Sequence, residues 1–223
     1  MVLRLCRIPY YAHRGVQRSL AYLIVFTTLA LTFLQQARVS GGAVWDAANA
    51  AGLLAFAGML YLFLEMGAGK RSRVHRHCAY AVALLCVMHI VIMLTANATT
   101  WAYLTWDAPP YMWTGLGGAL LLLLMIPVAL PRWRRRWHAN YKQFARWHYG
   151  WSLLVVGLSA HHILGSGYYY RWPWEGMLLL ALIAAVLVSH RAGFVPQASI
   201  QPKALWLVTV LPMLFVALKR VLA

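Results

Sequence analysis

The sequence predicts an all-α protein, a polytopic membrane helix bundle of six or seven transmembrane helices. The first observation is composition: 62% of the 223 residues are hydrophobic and 11% are charged, whereas soluble domains are about half apolar and about a quarter charged. The second is that the apolar residues form continuous runs and do not alternate as in a β-barrel. Because lipid offers the backbone no hydrogen bonds, such runs must form helices.

Seven apolar runs follow one another along the chain, and each is close to the ~20 residues that cross a bilayer as a helix. We expect a basic cytoplasmic N-terminus at 1–18, a transmembrane bundle at 19–203 and a C-terminal hydrophobic helix at 204–223. If the last helix spans, Lys219 and Arg220 end opposite the other basic segments, so it either spans or lies along the membrane. The runs lie at about 19–36, 44–66, 77–97, 111–130, 147–166, 174–190 and 204–221.

The charged residues predict the orientation. The formal net charge is +16, and the cytoplasmic loops of membrane proteins are enriched in Lys and Arg. The N-terminus and the segments 69–73 and 131–136 are basic and share one side if the runs alternate, whereas Asp46, Asp107 and Glu175 fall on the other side. We therefore expect a multi-pass protein of a bacterial-type inner membrane with a cytoplasmic N-terminus, and the positive charge does not indicate nucleic-acid binding.

Histidines are concentrated in the third and fifth runs. His75 and His89 lie 14 residues apart, and His148 lies 13 residues before His161 and 14 before His162. These separations correspond to about 20 Å along a helix. Because the two helices run in the same direction, we expect His75 and His148 at one depth. His89 and either His161 or His162 then lie at a second depth.

Two facing histidines at one depth can be the two axial ligands of a haem iron, and ionisable side chains within a membrane span are costly and usually functional. Two such pairs predict two b-type haems, one near each face of the membrane. Fourteen residues at about 100° each leave about 40°, so His75 and His89 share a helix face, whereas thirteen residues leave about 140°. This arithmetic favours His162 over His161.

The same residues resemble the ferric reductase-like transmembrane family, which includes iron reductases, the membrane part of NADPH oxidases and the haem subunit of the bacterial periplasmic methionine sulfoxide reductase system. Residues 75–89, from His-Arg-His-Cys to Val-Met-His, are similar to one ligand helix of the family. Residues 146–162, from Arg-Trp-His-Tyr to Ser-Ala-His-His, are similar to its partner. The resemblance covers roughly residues 45–190. The bacterial members favour a spacing of 13 in the partner helix, which favours His161 and leaves the choice open.

The resemblance implies a haem-bearing membrane subunit of an oxidoreductase, without catalytic side chains of its own. Electrons would pass from a flavoprotein or quinol donor through haem b to a periplasmic acceptor, such as ferric iron, oxygen or a partner reductase. The sulfoxide-reductase haem subunit has an arginine at the position of His75, so the histidine here favours a complete inner site. Arg76 and Arg146 are candidate partners of the haem propionates. The residues after His190 are too few for a flavin and nicotinamide module, so the donor is expected to be a separate molecule.

Two alternatives belong to other classes of protein. Buried histidines could carry protons or metal ions across the membrane, although transporters more often show intramembrane carboxylates or broken helices. The histidines could also bond helices to one another in a haem-free assembly partner. A reduced-minus-oxidised spectrum separates both alternatives from a haem protein.

Overall fold

The described part of the chain is helical. The computed structural model describes residues 42–64, 70–96, 98–138, 140–167 and 172–191. No strand occurs among these residues, which confirms the all-α prediction, while the runs at 19–36 and 204–221 and the N-terminus at 1–18 lie outside them. The elements are α1 (Gly42–Leu64), α2 (Lys70–Ala96), a 3₁₀ helix (Ala98–Leu104), α3 (Pro110–Ala129), α4 (Pro131–Trp137), α5 (Tyr141–Ser166) and α6 (Pro173–Arg191).

Three of the described helices are long and apolar enough to cross a membrane, over Val44–Phe63, His75–Ala96 and Pro110–Ala129. The helix α6 contains a shorter apolar stretch, Gly176–Val188. With 26 residues, α5 is about 39 Å long, but its histidines and serines make it less apolar than those three. The structure therefore supports a membrane bundle in which polar side chains are spread along α5, whereas those of α2 are concentrated in its first turns.

The helices α2 and α5 begin earlier than their apolar runs predict. Lys70 is already helical, and the basic segment 131–136, predicted as a loop, lies within α4. At the start of α5, the Asn140 side chain accepts a hydrogen bond of 2.9 Å from the Gln143 backbone N–H, which satisfies an otherwise unpaired donor of the first turn. Hydropathy does not detect these first turns because they are polar.

The packing joins the long helices in pairs. The helix α1 packs along α2, α3 packs along α5, and α6 lies against α1. The helices α2 and α5, which carry the histidines, make no extensive contact with each other over their described residues. Among the residues that the structure describes, the largest fully buried side chains are Leu60 of α1, Val156 of α5 and Val186 of α6. Because α2 packs on α1 and α5 packs on α3, α2 and α5 can face each other across a gap.

Candidate functional site: two histidine pairs

Histidines of α2 and α5 face each other at two levels of the bundle. The ring centroids of His75 and His148 are 6.2 Å apart, with an interplanar angle of 63°. Those of His89 and His162 are 6.4 Å apart, at 71°. We call His75 and His148 the inner pair and His89 and His162 the outer pair, after the predicted orientation. Each pair takes one histidine from each helix, as the spacing predicts.

The separation within each pair suits a single metal ion between the two rings. A metal–imidazole bond is about 2.0 Å and the ring centre lies about 1.1 Å behind the bonding nitrogen, so two opposed ligands have centroids about 6 Å apart. Ordinary aromatic pairs also fall at 4.5–7 Å. The hydrogen bonds of the rings therefore have to distinguish a ligand pair from simple ring packing.

Both rings of the outer pair are held by backbone carbonyl groups. His89 Nδ1 lies 2.7 Å from the carbonyl oxygen of Ala48 on α1, and His162 Nδ1 lies 2.9 Å from that of Tyr111 on α3. Because a carbonyl oxygen only accepts, each Nδ1–H donates and each Nε2 keeps its lone pair. This tautomer is the one that metal-binding histidines adopt when the second ring nitrogen is hydrogen-bonded.

The inner pair has an aromatic environment. The Phe144 ring stacks on the His148 ring with centroids 5.2 Å apart and an angle of 23°. The Arg134 guanidinium of α4 lies 5.4 Å from the centroid of the same Phe144 ring, and the His138 ring lies edge-on to it at 5.5 Å. The inner pair therefore connects to the basic helix α4 through one phenylalanine.

The structure distinguishes the two adjacent histidines near the end of α5. His162 is half-buried and faces His89. His161 is exposed, and its Nδ1 is hydrogen-bonded to Thr114 Oγ1 of α3 at 3.0 Å. The angular arithmetic favours this pairing, whereas the spacing typical of bacterial family members favours His161. The structure thus brings His75, His89, His148 and His162 together in pairs and leaves His161 beside them.

The two candidate arginines are exposed. Arg76 lies on α2 one residue after His75, and Arg146 lies on α5 two residues before His148. Arg146 lines an open groove on α5 together with Gln143 and Trp147. Both arginines are thus close in sequence to the inner pair, but they are exposed where the histidines are half-buried.

The surroundings of the outer pair include residues that spacing does not identify. Ala48 and Tyr111 contribute only backbone oxygens, so their side chains carry no signal in the sequence. A Cβ at Gly52 would meet the His89 ring, and one at Gly115 would meet the His162 ring. Glycine is unfavourable inside a helix by about 1 kcal/mol relative to alanine, but α1 and α3 also contain Gly58, Gly117 and Gly118, so the sequence alone does not single out these two positions.

The comparisons with known proteins give one match. Residues 51–159 match the sequence model of a family described as "Ferric reductase like transmembrane component". The matched segment includes His75, His89 and His148 and ends just before His161 and His162. No curated protein and no solved structure matches the chain. This match supports the predicted resemblance of the chain to the ferric reductase-like transmembrane family over residues 51–159.

Proposed function

We propose that this chain is the haem-bearing membrane subunit of an electron-transfer system. The inner pair would hold one b-type haem and the outer pair a second. The observation that carries the proposal is the outer pair, in which His89 and His162 stand 6.4 Å apart and both donate Nδ1–H to backbone carbonyls. The similarity of residues 51–159 to a family of oxidoreductase components supports the same conclusion.

The number of ligands favours haem over a bare metal ion. Each level offers two histidines, and no group of three or more His, Cys, Asp or Glu residues that could hold a metal ion occurs in the described part of the chain. Zinc sites use three or four protein ligands, whereas haem iron receives four nitrogens from its own macrocycle and needs only axial ligands. Two histidines per level are therefore enough for haem.

The two pairs would give the chain a path for electrons across the bilayer. Bound haem would supply an iron that gains and loses one electron. Histidines on both sides of each iron would leave no open position, so the acceptor would be reduced without binding to the metal. We propose a cytosolic flavoprotein or membrane quinol as donor and ferric iron, oxygen or a partner reductase as periplasmic acceptor. The 14 residues between His75 and His89 on α2 correspond to about 21 Å between the two levels.

The test of this proposal is a haem measurement on the purified chain. In detergent, we expect a reduced-minus-oxidised spectrum with the α-band of b-type haem and a ratio of two haems per chain. A ratio near one haem per chain would show that only one of the two histidine pairs binds haem. Absence of the α-band would reject the proposal and favour the alternatives, in which buried histidines conduct protons or metal ions or only join helices.

We also propose that Arg76 and Arg146 pair with propionates of the inner haem. Replacing either by glutamine is expected to lower the midpoint potential of that haem, because a nearby positive charge stabilises the more negative reduced state. The shift is expected to be small, since both side chains are exposed and exposed charges are screened by salt. Potentiometric titration of Arg76→Gln and Arg146→Gln measures it.

The matched control is Arg132→Gln, which removes an exposed arginine from the short helix α4. It is expected to leave both haem potentials unchanged. If Arg76→Gln and Arg146→Gln also leave haem content and potentials unchanged, the two arginines are not part of the site, and their charge serves only the topology of the chain.

A further inference from the structure

The two histidines of the outer pair are held by similar arrangements on two different helices, although the Tyr111 carbonyl also accepts the Thr114 hydroxyl at 2.9 Å. His89 binds the carbonyl of Ala48, and Gly52 follows four residues later on α1. His162 binds the carbonyl of Tyr111, and Gly115 follows four residues later on α3. Neither α1 nor α3 carries a histidine of the pairs. The helices without ligands therefore orient the ligands of their neighbours.

Each glycine leaves room that its histidine occupies. A Cβ built at Gly52 would lie 2.9 Å from His89 Nδ1, and one at Gly115 would lie 2.6 Å from His162 Nδ1. Both distances are shorter than a carbon and a ring nitrogen can approach. Of the glycines in the described part of the chain, these two are the ones whose Cβ would meet a histidine. Any larger residue at either position would displace the ring from its carbonyl.

The geometry of a helix explains why the glycine stands four residues after the acceptor. The carbonyl of residue i accepts the N–H of residue i+4 and keeps a second lone pair. Side chains of a helix point back towards its N-terminus, so a residue covers the turn that precedes it. A side chain at i+4 would therefore lie over the carbonyl of residue i. Glycine at that position exposes the carbonyl to a donor on another helix.

We infer that Gly52 and Gly115 are positioning residues for the outer haem. By exposing the carbonyls of Ala48 and Tyr111, they fix Nδ1–H of His89 and His162 and keep each Nε2 available to the iron. The inference rests on the proposed function. A hydrogen bond at Nδ1 also makes the ligand more basic, and a more basic axial ligand stabilises the oxidised iron and lowers its potential.

The experiment compares Gly52→Ala and Gly115→Ala with Gly58→Ala, a matched control on α1. A Cβ at Gly58 would lie 2.5 Å from Val82 Cγ2 of α2, a closer approach than at Gly52 but against an aliphatic side chain. Gly118→Ala is the corresponding control on α3, where the nearest atoms are Leu158 Cβ and Ser159 Oγ, both at 3.4 Å. For each purified variant, haem content and the midpoint potential of each haem are measured. The variants His148→Ala and His162→Ala identify which signal belongs to which haem.

We expect Gly52→Ala and Gly115→Ala to lose most of the outer haem, or to retain it with a higher midpoint potential. The inner haem should keep its occupancy and potential, which also reports that the bundle has folded. Gly58→Ala and Gly118→Ala should keep both haems and both potentials. If Gly52→Ala acted only by pushing α1 away from α2, Gly58→Ala should have at least as large an effect on the outer haem, because its added Cβ makes the closer contact with α2.

Three results would overturn the inference. One is that Gly52→Ala and Gly115→Ala keep both haems with unchanged potentials, and another is that Gly58→Ala loses the outer haem in the same way. The third is loss of both haems in Gly52→Ala and Gly115→Ala, which would make the glycines structural. In all three, a wild-type chain with two haems leaves the proposed function intact. A wild-type chain without haem rejects the proposed function and the inference with it.

Discussion

Replacing His162 by alanine is expected to remove the outer haem and to halve the haem content, while His161→Ala is expected to leave two haems per chain. The His162 ring stands opposite His89 at 6.4 Å and donates Nδ1–H to the Tyr111 carbonyl. The His161 ring is exposed and bound to Thr114. Haem-to-protein ratios of the two purified variants and the wild type measure the difference.

The two variants control for each other because the substituted residues are adjacent on α5. Each removes one imidazole from the same turn, so a general disturbance of the helix end would affect both. Thr114→Val adds a second comparison, because it removes the hydrogen-bond partner of His161 and leaves the Tyr111 carbonyl, which Thr114 shares with His162, to His162. If His161→Ala loses the outer haem and His162→Ala keeps it, the ligand spacing on α5 is 13 residues and the pairing with His162 is not the binding arrangement.

Replacing His75 by alanine is expected to remove the inner haem and to interrupt the supply of electrons from the cytoplasmic face. The His75 and His148 rings are 6.2 Å apart, and removal of one leaves a single axial ligand. Haem content should fall to one per chain. In inverted membrane vesicles, reduction of the outer haem by an impermeant reductant should nearly stop, whereas in detergent the same reductant should still reduce it.

The matched control is His77→Ala, which removes an exposed histidine two residues further along α2. It should keep two haems and reduce at the wild-type rate in vesicles. His148→Ala should behave as His75→Ala does, because each histidine supplies one side of the same pair. Two haems in His75→Ala, with rapid reduction in vesicles, would show that the inner pair is not a haem site.

The composition and the spacing of the histidines predict the fold class and most of this candidate site. The apolar runs give the fold class, and the intervals between His75 and His89 and between His148 and His162 give the two levels. Spacing alone does not distinguish His161 from His162, because the difference between them lies in their contacts with α3. Thr114 is hydrogen-bonded to His161, and the Tyr111 carbonyl accepts a hydrogen bond from His162. Such contacts depend on how α3 is placed against α5.

Other parts of the site cannot be predicted from hydropathy or from the spacing of motifs. A backbone acceptor such as the Ala48 carbonyl is present in every residue, and only the fold selects it. The first turns of α2 and α5 are polar, so their helical state depends on capping and on continuation of the helix. The stacking of Phe144 on His148 follows from a four-residue step along α5, which suits two rings on one helix face.

The pairing of the long helices has a consequence for assembly. Histidines of the α1–α2 pair and of the α3–α5 pair meet at both levels, and α2 and α5 make no extensive contact of their own over their described residues. Each haem would therefore bridge two halves of the bundle as a removable cross-link. A ligand that binds only the assembled form stabilises it by mass action, so the abundance of the intact subunit would follow the cellular supply of haem.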